Sequence, residues 1–123
     1  MQWTFVIDGK LPGANEFINA GYRNRYCANS MKAKAEKKIA VAIEQFGKPR
    51  FEKPVKLGIV WFDPNGRRDC DNIAFGKKFI QDALVRNGVL KDDSRKYVAG
   101  YTGEEFFIDK DNPRIVVTVT DEF

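Results

Sequence analysis

The chain has 123 residues, of which 43% are hydrophobic and 31% are charged, and its formal net charge is +4. These values predict one soluble globular domain over residues 1–123, and no apolar run approaches the roughly 20 residues that a membrane span needs. Histidine is absent, which excludes Ser-His-Asp and Cys-His nucleophile sites and leaves oxygen atoms as the main metal ligands. The chain begins with a strand-like segment and not with a signal peptide. We therefore expect a cytoplasmic protein of a bacterium or a phage-infected host, with Cys27 and Cys70 as free thiols.

The first half of the chain predicts one strand, one long loop and one helix. Residues 3–7 alternate between two faces, as a strand does. Residues 14–28 are polar, aromatic and irregular, and we expect a loop there, with at most a helical turn near residues 16–20. An apolar stripe at helical spacing then predicts a core-packed helix over about residues 29–46, capped by its first or second residue.

The second half of the chain predicts three strands around a second helix. Residues 55–62 form a strongly apolar strand that ends in a turn, and a helix follows over about residues 71–86. Two further strands are predicted at residues 97–101 and 115–120. The order β-α-β-α-β-β predicts an α+β fold, in which a mixed β-sheet has two main helices packed on it.

The positive charge is concentrated in residues 21–53, which carry nine lysines and arginines against three glutamates. A basic stretch this dense commonly faces phosphate groups, although for a charge run alone a solvated helix face is the commoner explanation. Arg23 and Arg25 lie between two tyrosines that could stack on bases, and Lys32 follows in the helix. We therefore take these three basic residues as candidate DNA contacts.

Four aspartates are the strongest functional signal in the chain. Asp69 and Asp71 lie two residues apart on the extended approach to the second helix, so their side chains are expected on the same side. Asp92 and Asp93 follow that helix in a turn. Clustered carboxylates repel one another unless a divalent cation neutralises them, and carboxylate oxygens favour Mg²⁺ or Mn²⁺. Either Asp92 or Asp93 could be the ligand in the turn.

A lysine is also expected at this site. Lys78 falls on the same helical stripe as Asp71, whereas Lys77 lies about 100° around the helix. Metal ions on carboxylates activate water for phosphodiester cleavage, and a lysine can neutralise the charge added to the phosphate. A different explanation is that Asp82 merely pairs with Lys78 and Arg86 at helical spacing. Arg67, Arg68 and Lys77 complete the predicted DNA contacts.

The motifs resemble the signature of the RusA family of Holliday-junction resolvases. The matching segments are Leu11-Pro12-Gly13-Ala14-Asn15-Glu16, Asp69-Cys70-Asp71-Asn72, Lys78, Asp82-Ala83-Leu84, Gly88 and Asp92-Asp93-Ser94. The family uses three aspartates and a lysine with Mg²⁺, and the resemblance assigns these roles to Asp69, Asp71, Asp93 and Lys78. Asp92 could support them as a further ligand. The family's usual lysine position is occupied here by Phe75, so Lys77 remains open.

The resemblance further implies a homodimer that binds four-way DNA junctions and nicks two opposing strands during recombination, repair or phage replication. Two other classes stay open. One is a structure-selective DNA-binding module without catalysis, and the other is a small metal-binding protein with no nucleic-acid function. The full set of acids argues against the module, because a pure phosphate binder gains nothing from carboxylates near its ligand.

Overall fold

The protein folds as predicted into an α+β structure, and a computed structural model describes all 123 residues. The elements are β1 (Gln2–Asp8), α1 (Ala14–Arg23), α2 (Arg25–Gln45), β2 (Val55–Asp63), α3 (Cys70–Ala74), α4 (Lys77–Arg86), β3 (Val98–Ile108) and β4 (Arg114–Thr120). Both cysteines are free, as predicted. None of the helices combines the length and the apolar character that crossing a bilayer requires.

The four strands form one mixed sheet in the order β1-β4-β2-β3. β4 is antiparallel to both of its neighbours, and β1 pairs with it along its whole length, from Gln2 opposite Thr120 to Asp8 opposite Arg114. β2 and β3 are parallel, so the chain between them must cross back over the sheet. α3 and α4 form that crossover, which places the predicted acidic motif at its start.

The core lies between the helices and one face of the sheet. Inward-facing side chains alternate along β2, where Val55, Leu57, Ile59 and Trp61 are buried. These side chains belong to a single cluster of 23 buried hydrophobic residues to which α2 and α4 also contribute. The strand and helix periodicities of the sequence therefore placed the core correctly.

The loop predicted for residues 14–28 is wrong. This segment forms α1 and the first turn of α2, and the two helices are separated only by Asn24. Asn24 caps α2, since its Oδ1 accepts a hydrogen bond from the Cys27 amide at 2.8 Å. The predicted cap at residue 29 or 30 is also wrong. α1 buries only Ala20 fully, and Phe17 is partly buried on the same side of the helix, so its apolar stripe is short.

The helix predicted over residues 71–86 is broken in the middle. α3 ends at Ala74 and α4 begins at Lys77, with Gly76 buried between them. A Cβ atom at Gly76 would lie 3.1 Å from the Trp61 ring, so glycine allows the junction to pack directly on β2. β3 was predicted to end at residue 101, but it continues along the sheet edge to Ile108.

Candidate active site

The acidic motif lies where the crossover begins. β2 ends at Asp63, the chain turns, and Asp69 takes the N-cap position of α3 with Asp71 in its first turn. Both aspartates are exposed. No ion pair in the structure involves Asp69, Asp71, Asp92 or Asp93. The four predicted ligands therefore keep their oxygen atoms free of basic partners.

Arg68 is held by the protein and is not free to bind phosphate. Its Nε and Nη2 atoms donate to the two carboxylate oxygens of Asp63 at 2.9 and 2.8 Å, and its Nη1 donates to the Leu11 carbonyl at 2.9 Å. Asp63 is only 5% exposed, so the ion pair is largely buried. The predicted DNA contact of Arg68 is therefore replaced by a structural role, whereas its neighbour Arg67 is exposed and forms no ion pair.

Lys77 and Lys78 have different surroundings. Lys77 Nζ lies 2.8 Å from Glu104 Oε1, and the other oxygen of Glu104 accepts from Trp61 Nε1 at 2.8 Å. The Lys78 side chain is 62% exposed and lies only loosely near Asp82, with Nζ 3.4 Å from Oδ1. Lys78 is therefore the lysine whose charge is available to a ligand, whereas Lys77 is paired with Glu104 of β3.

Lys78 and Asp93 line the same hollow between α2 and α4. This α2–α4 hollow has a volume of about 370 Å³, and its lining residues are Lys32, Lys78, Asp82, Val85, Arg86 and Asp93. Asp82 lies between Lys78 and Lys32, with its second oxygen 3.7 Å from Lys32 Nζ. The expected pairing of Asp82 with Arg86 is wrong, because Arg86 instead reaches Glu36 at 3.3 Å.

The four predicted metal ligands are not gathered in one place. No group of three or more aspartate, glutamate, cysteine or histidine side chains is close enough to hold one ion. Asp69 and Asp71 share the start of α3, whereas Asp93 lies in the α2–α4 hollow. The donors suit a hard divalent cation, since they are carboxylate oxygens without basic partners. The residues thus fit Mg²⁺ by the chemistry of their donors, and Asp69 and Asp71 lie two residues apart at the start of α3.

A second hollow, lined by lysines, lies on the other side of α2. This lysine hollow has a volume of about 310 Å³, and its lining residues are Lys10, Leu11, Pro12, Met31, Lys34, Ala35 and Lys38. Lys38 Nζ donates to the Lys10 carbonyl at 3.1 Å and would lie 2.7 Å from a Cβ at Gly9, whose φ of +77° favours glycine. Sequence reasoning missed Lys10, because a lone lysine in a turn carries no signal.

The lysine hollow adjoins the acidic motif, because its Leu11 wall is the residue that Arg68 holds. Arg23 and Arg25 lie further along, as exposed residues on either side of the junction between α1 and α2. Neither of them forms an ion pair. Unpaired positive charge therefore lies beside the acidic motif, in the lysine hollow, and at the junction between α1 and α2.

Comparison with known protein families identifies the family to which this chain belongs. A sequence profile described as endodeoxyribonuclease RusA matches residues 12–120. The chain belongs to the RusA family of endodeoxyribonucleases. The match runs from the turn before α1 to the end of β4, so it includes the acidic motif, both lysines and the turn with Asp93. No curated individual protein matches the chain. RusA-family membership supports a nuclease that hydrolyses DNA within the strand.

Proposed function

We propose that this protein is a Mg²⁺-dependent endodeoxyribonuclease that resolves four-way junctions and related branched DNA. The observation that carries the proposal is the pair of exposed carboxylates at the start of α3. Asp69 and Asp71 have no basic partner in a chain whose net charge is +4, and they belong to a RusA-family sequence. Carboxylates left free among many cations are suited to binding a further cation.

Asp69, Asp71 and Asp93 are the proposed Mg²⁺ ligands, with Asp92 in support and Mn²⁺ as a substitute ion. When bound, the ion would supply an activated water and neutralise charge that builds up on the phosphate. The proposal requires Asp93 to approach α3, and residues 91–96 form an exposed turn with little buried surface to resist such a movement. Lys78 neutralises the scissile phosphate, because it is the exposed lysine beside Asp93.

The DNA backbone follows basic side chains that have no acidic partner or, for Lys32, only a loose one in Asp82 at 3.7 Å. Arg67 precedes the acidic motif, the lysine hollow lies beside it, and Lys32 lines the α2–α4 hollow. Arg23 and Arg25 extend the surface along the helices. Each phosphate contact that replaces a counterion adds to affinity and to its salt dependence. The Lys77 contact predicted from sequence is not part of this surface, because Glu104 already neutralises that charge.

We further propose that the protein acts as a homodimer that nicks two opposing strands of the junction. A two-fold symmetric protein matches a substrate whose arms are also related by two-fold symmetry. Such an activity would serve DNA recombination and repair or phage replication. The competing function is a structure-selective DNA-binding module, which shares the basic surface but has no use for the free carboxylates.

A cleavage assay tests the proposal directly. A synthetic four-way junction and a linear duplex of one arm sequence are each incubated with the protein in Mg²⁺, in Mn²⁺ and in EDTA. We expect paired nicks in the junction with either metal, and none in EDTA or in the duplex. Tight junction binding without nicks in Mg²⁺ would establish the binding module instead. No junction affinity even at low salt would point to a function without nucleic acid.

A further inference from the structure

The turn before α1 forms hydrogen bonds with the residues on both sides of the acidic motif. Arg68, the residue before the first aspartate, donates to the Leu11 carbonyl at 2.9 Å. Asn72, the residue after the second aspartate, accepts a hydrogen bond from the Asn15 amide at 3.0 Å. The two proposed metal ligands therefore lie between two hydrogen bonds to one short segment, residues 11–15.

Asn72 supplies a helix cap that α1 lacks. The N-cap residue of α1 is Gly13, which has no side chain to accept a hydrogen bond. A capping side chain normally accepts from the second or third amide of the helix. Asn15 is the second residue of α1, so Asn72 Oδ1 occupies the position that a capping side chain at residue 13 would take.

Gly13 is required by the same contact. A Cβ atom at residue 13 would lie 2.9 Å from Asn72 Cγ and 3.1 Å from the Asn72 carbonyl oxygen. The φ angle of Gly13 is −86°, a value that any residue adopts, so backbone strain is not the reason for glycine here. The close approach of Asn72 is the reason, and it couples the turn before α1 to the acidic motif.

An aromatic cluster keeps this contact rigid. One turn into α1, the Phe17 ring lies 5.5 Å from the Phe75 ring and 5.6 Å from the Phe79 ring, measured between centroids. Phe75 follows α3 directly and Phe79 belongs to α4, so α1 is packed on both helices. A displacement at Asn72 therefore cannot be absorbed by tilting α1 without disturbing these three rings.

We propose that Asn72 is a positioning residue of the active site, holding the start of α3 against the capped end of α1. Through that contact it sets the separation and direction of the Asp69 and Asp71 carboxylates. The inference rests on the proposed function, in which these two side chains bind Mg²⁺. The acceptor oxygen of Asn72 is used by Asn15, so its effect on the ion is exerted through the backbone of α3.

The test compares Asn72→Ala, Gly13→Ala, the double variant and the wild type. Both single variants should raise the Mg²⁺ concentration for half-maximal junction cutting by about tenfold, the cost typical of losing a residue that orients metal ligands. Mn²⁺ binding to the DNA-free protein, followed by water-proton relaxation, should weaken by the same factor. Hydrogen exchange at the Asn15 amide should accelerate. The double variant should lie closer to Asn72→Ala than to the sum of the two single effects, because alanine at residue 13 then meets only the residue-72 carbonyl oxygen, 3.1 Å away, and no longer the asparagine side chain.

Two controls separate positioning from a loss of stability. Gly21→Ala lies in the same helix with no atom within 4 Å of the new Cβ, so it should leave Mn²⁺ affinity unchanged. Asn72→Asp keeps an acceptor in place and should restore slow exchange at Asn15. This variant and Gly13→Ala keep the test valid if Asn72→Ala does not fold.

The outcomes also separate this inference from the proposed function. If Asn72→Ala lowers only the free energy of unfolding while both metal readouts match the wild type, Asn72 is a cap and nothing more, and the inference is wrong. Rapid exchange at Asn15 in Asn72→Asp would likewise overturn it. If the wild type neither cuts junctions nor binds Mn²⁺, the proposed function fails and this inference fails with it.

Discussion

Arg68 holds Asp63 through both carboxylate oxygens, so the end of β2 and the approach to α3 are joined by a two-point ion pair. The third donor of the same guanidinium reaches the Leu11 carbonyl. Lysine could not reproduce this geometry, because only the planar guanidinium presents donors in a fixed fork. The residue before Asp69 is therefore fixed to the end of β2 and to the turn before α1, so the acidic motif does not lie in a free loop.

The two neighbouring arginines should behave in opposite ways. Arg68→Gln leaves Asp63 as a buried charge without its partner and should destabilise the fold by about 3 kcal/mol. Arg67→Gln should leave stability within about 0.5 kcal/mol, because Arg67 is exposed and has no ion pair. It should instead reduce the slope of log affinity for junction DNA against log salt by about 0.9. Urea unfolding and salt-dependent binding measure both effects, and equal destabilisation by the two variants would contradict the structure.

Asp71→Asn should abolish cutting while junction binding survives. The change removes a carboxylate charge from the first turn of α3 and keeps the side-chain shape. We expect a loss of at least about 100-fold in the single-turnover cleavage rate, since even residues that only orient metal ligands cost about 10- to 100-fold. Gel-shift affinity for the junction in EDTA should be retained. Cleavage at the wild-type rate would show that the ligand assignment is wrong.

Lys78→Ala should mainly lower the cleavage rate, whereas Lys77→Ala should mainly lower the stability of the fold. Lys78 is mostly exposed, so its loss should slow cutting with little effect on unfolding. Lys77→Ala removes the partner of a partly buried glutamate. We expect it to lower the free energy of unfolding by about 1–2 kcal/mol, which lies between the values for surface and buried ion pairs. Cleavage rates measured beside urea unfolding give the ranking. A larger activity loss for Lys77→Ala would move the catalytic role to that residue.

The lysine hollow should contribute affinity and not chemistry. Changing Lys10, Lys34 and Lys38 together to Gln should reduce the salt slope of junction binding by about 2–3, at roughly 0.9 for each phosphate that is no longer neutralised. The cleavage rate at saturating protein should be unchanged. The matched control changes Lys53, Lys91 and Lys110, which lie outside the hollow and form no ion pair. An equal loss in the control would mean that only net charge matters.

One pH dependence follows from the turn after β3. Arg114 Nη1 donates to Asp109 Oδ2 at 2.9 Å, and this hydrogen bond, with a second from the Asn112 amide, lowers the pKa of Asp109 below its usual 3.8. A lowered pKa in the folded state stabilises the fold above pH 3.8, and the contribution is lost as the pH falls through the lowered value. Arg114→Gln should return the Asp109 carboxyl titration, followed by NMR, towards 3.8. An unchanged titration would contradict this assignment.

The sequence predicted those parts of the fold whose signals are local. β2 and the core face of α2 alternate or repeat at the period of their own element, so the apolar pattern alone located them. α1 could not be predicted in this way, because the side chain that caps it comes from Asn72, 57 residues further along the chain. The break at Gly76 likewise depends on Trp61, which belongs to another strand.

The candidate site shows the same difference between local signals and signals that come from distant residues. The residue types and spacing of Asp69 and Asp71 were enough to predict a cation site, although the assignment is still a prediction. The role of Arg68 was missed, yet a signal existed: an aspartate at the end of a buried strand needs a basic partner, and Asp63 is such a residue. The difference between Lys77 and Lys78 depends on Glu104, which no spacing within the helix reveals.

The pairing of β1 with β4 has a consequence for biosynthesis. These strands are the first and last elements of the fold, and β1 has no other partner in the sheet. Contacts this distant in the chain form slowly, and here β1 stays unpaired until residues 114–120 have been synthesised. β1 leads directly into the turn that Arg68 and Asn72 contact, so this turn is connected to a paired strand only after β4 has been synthesised.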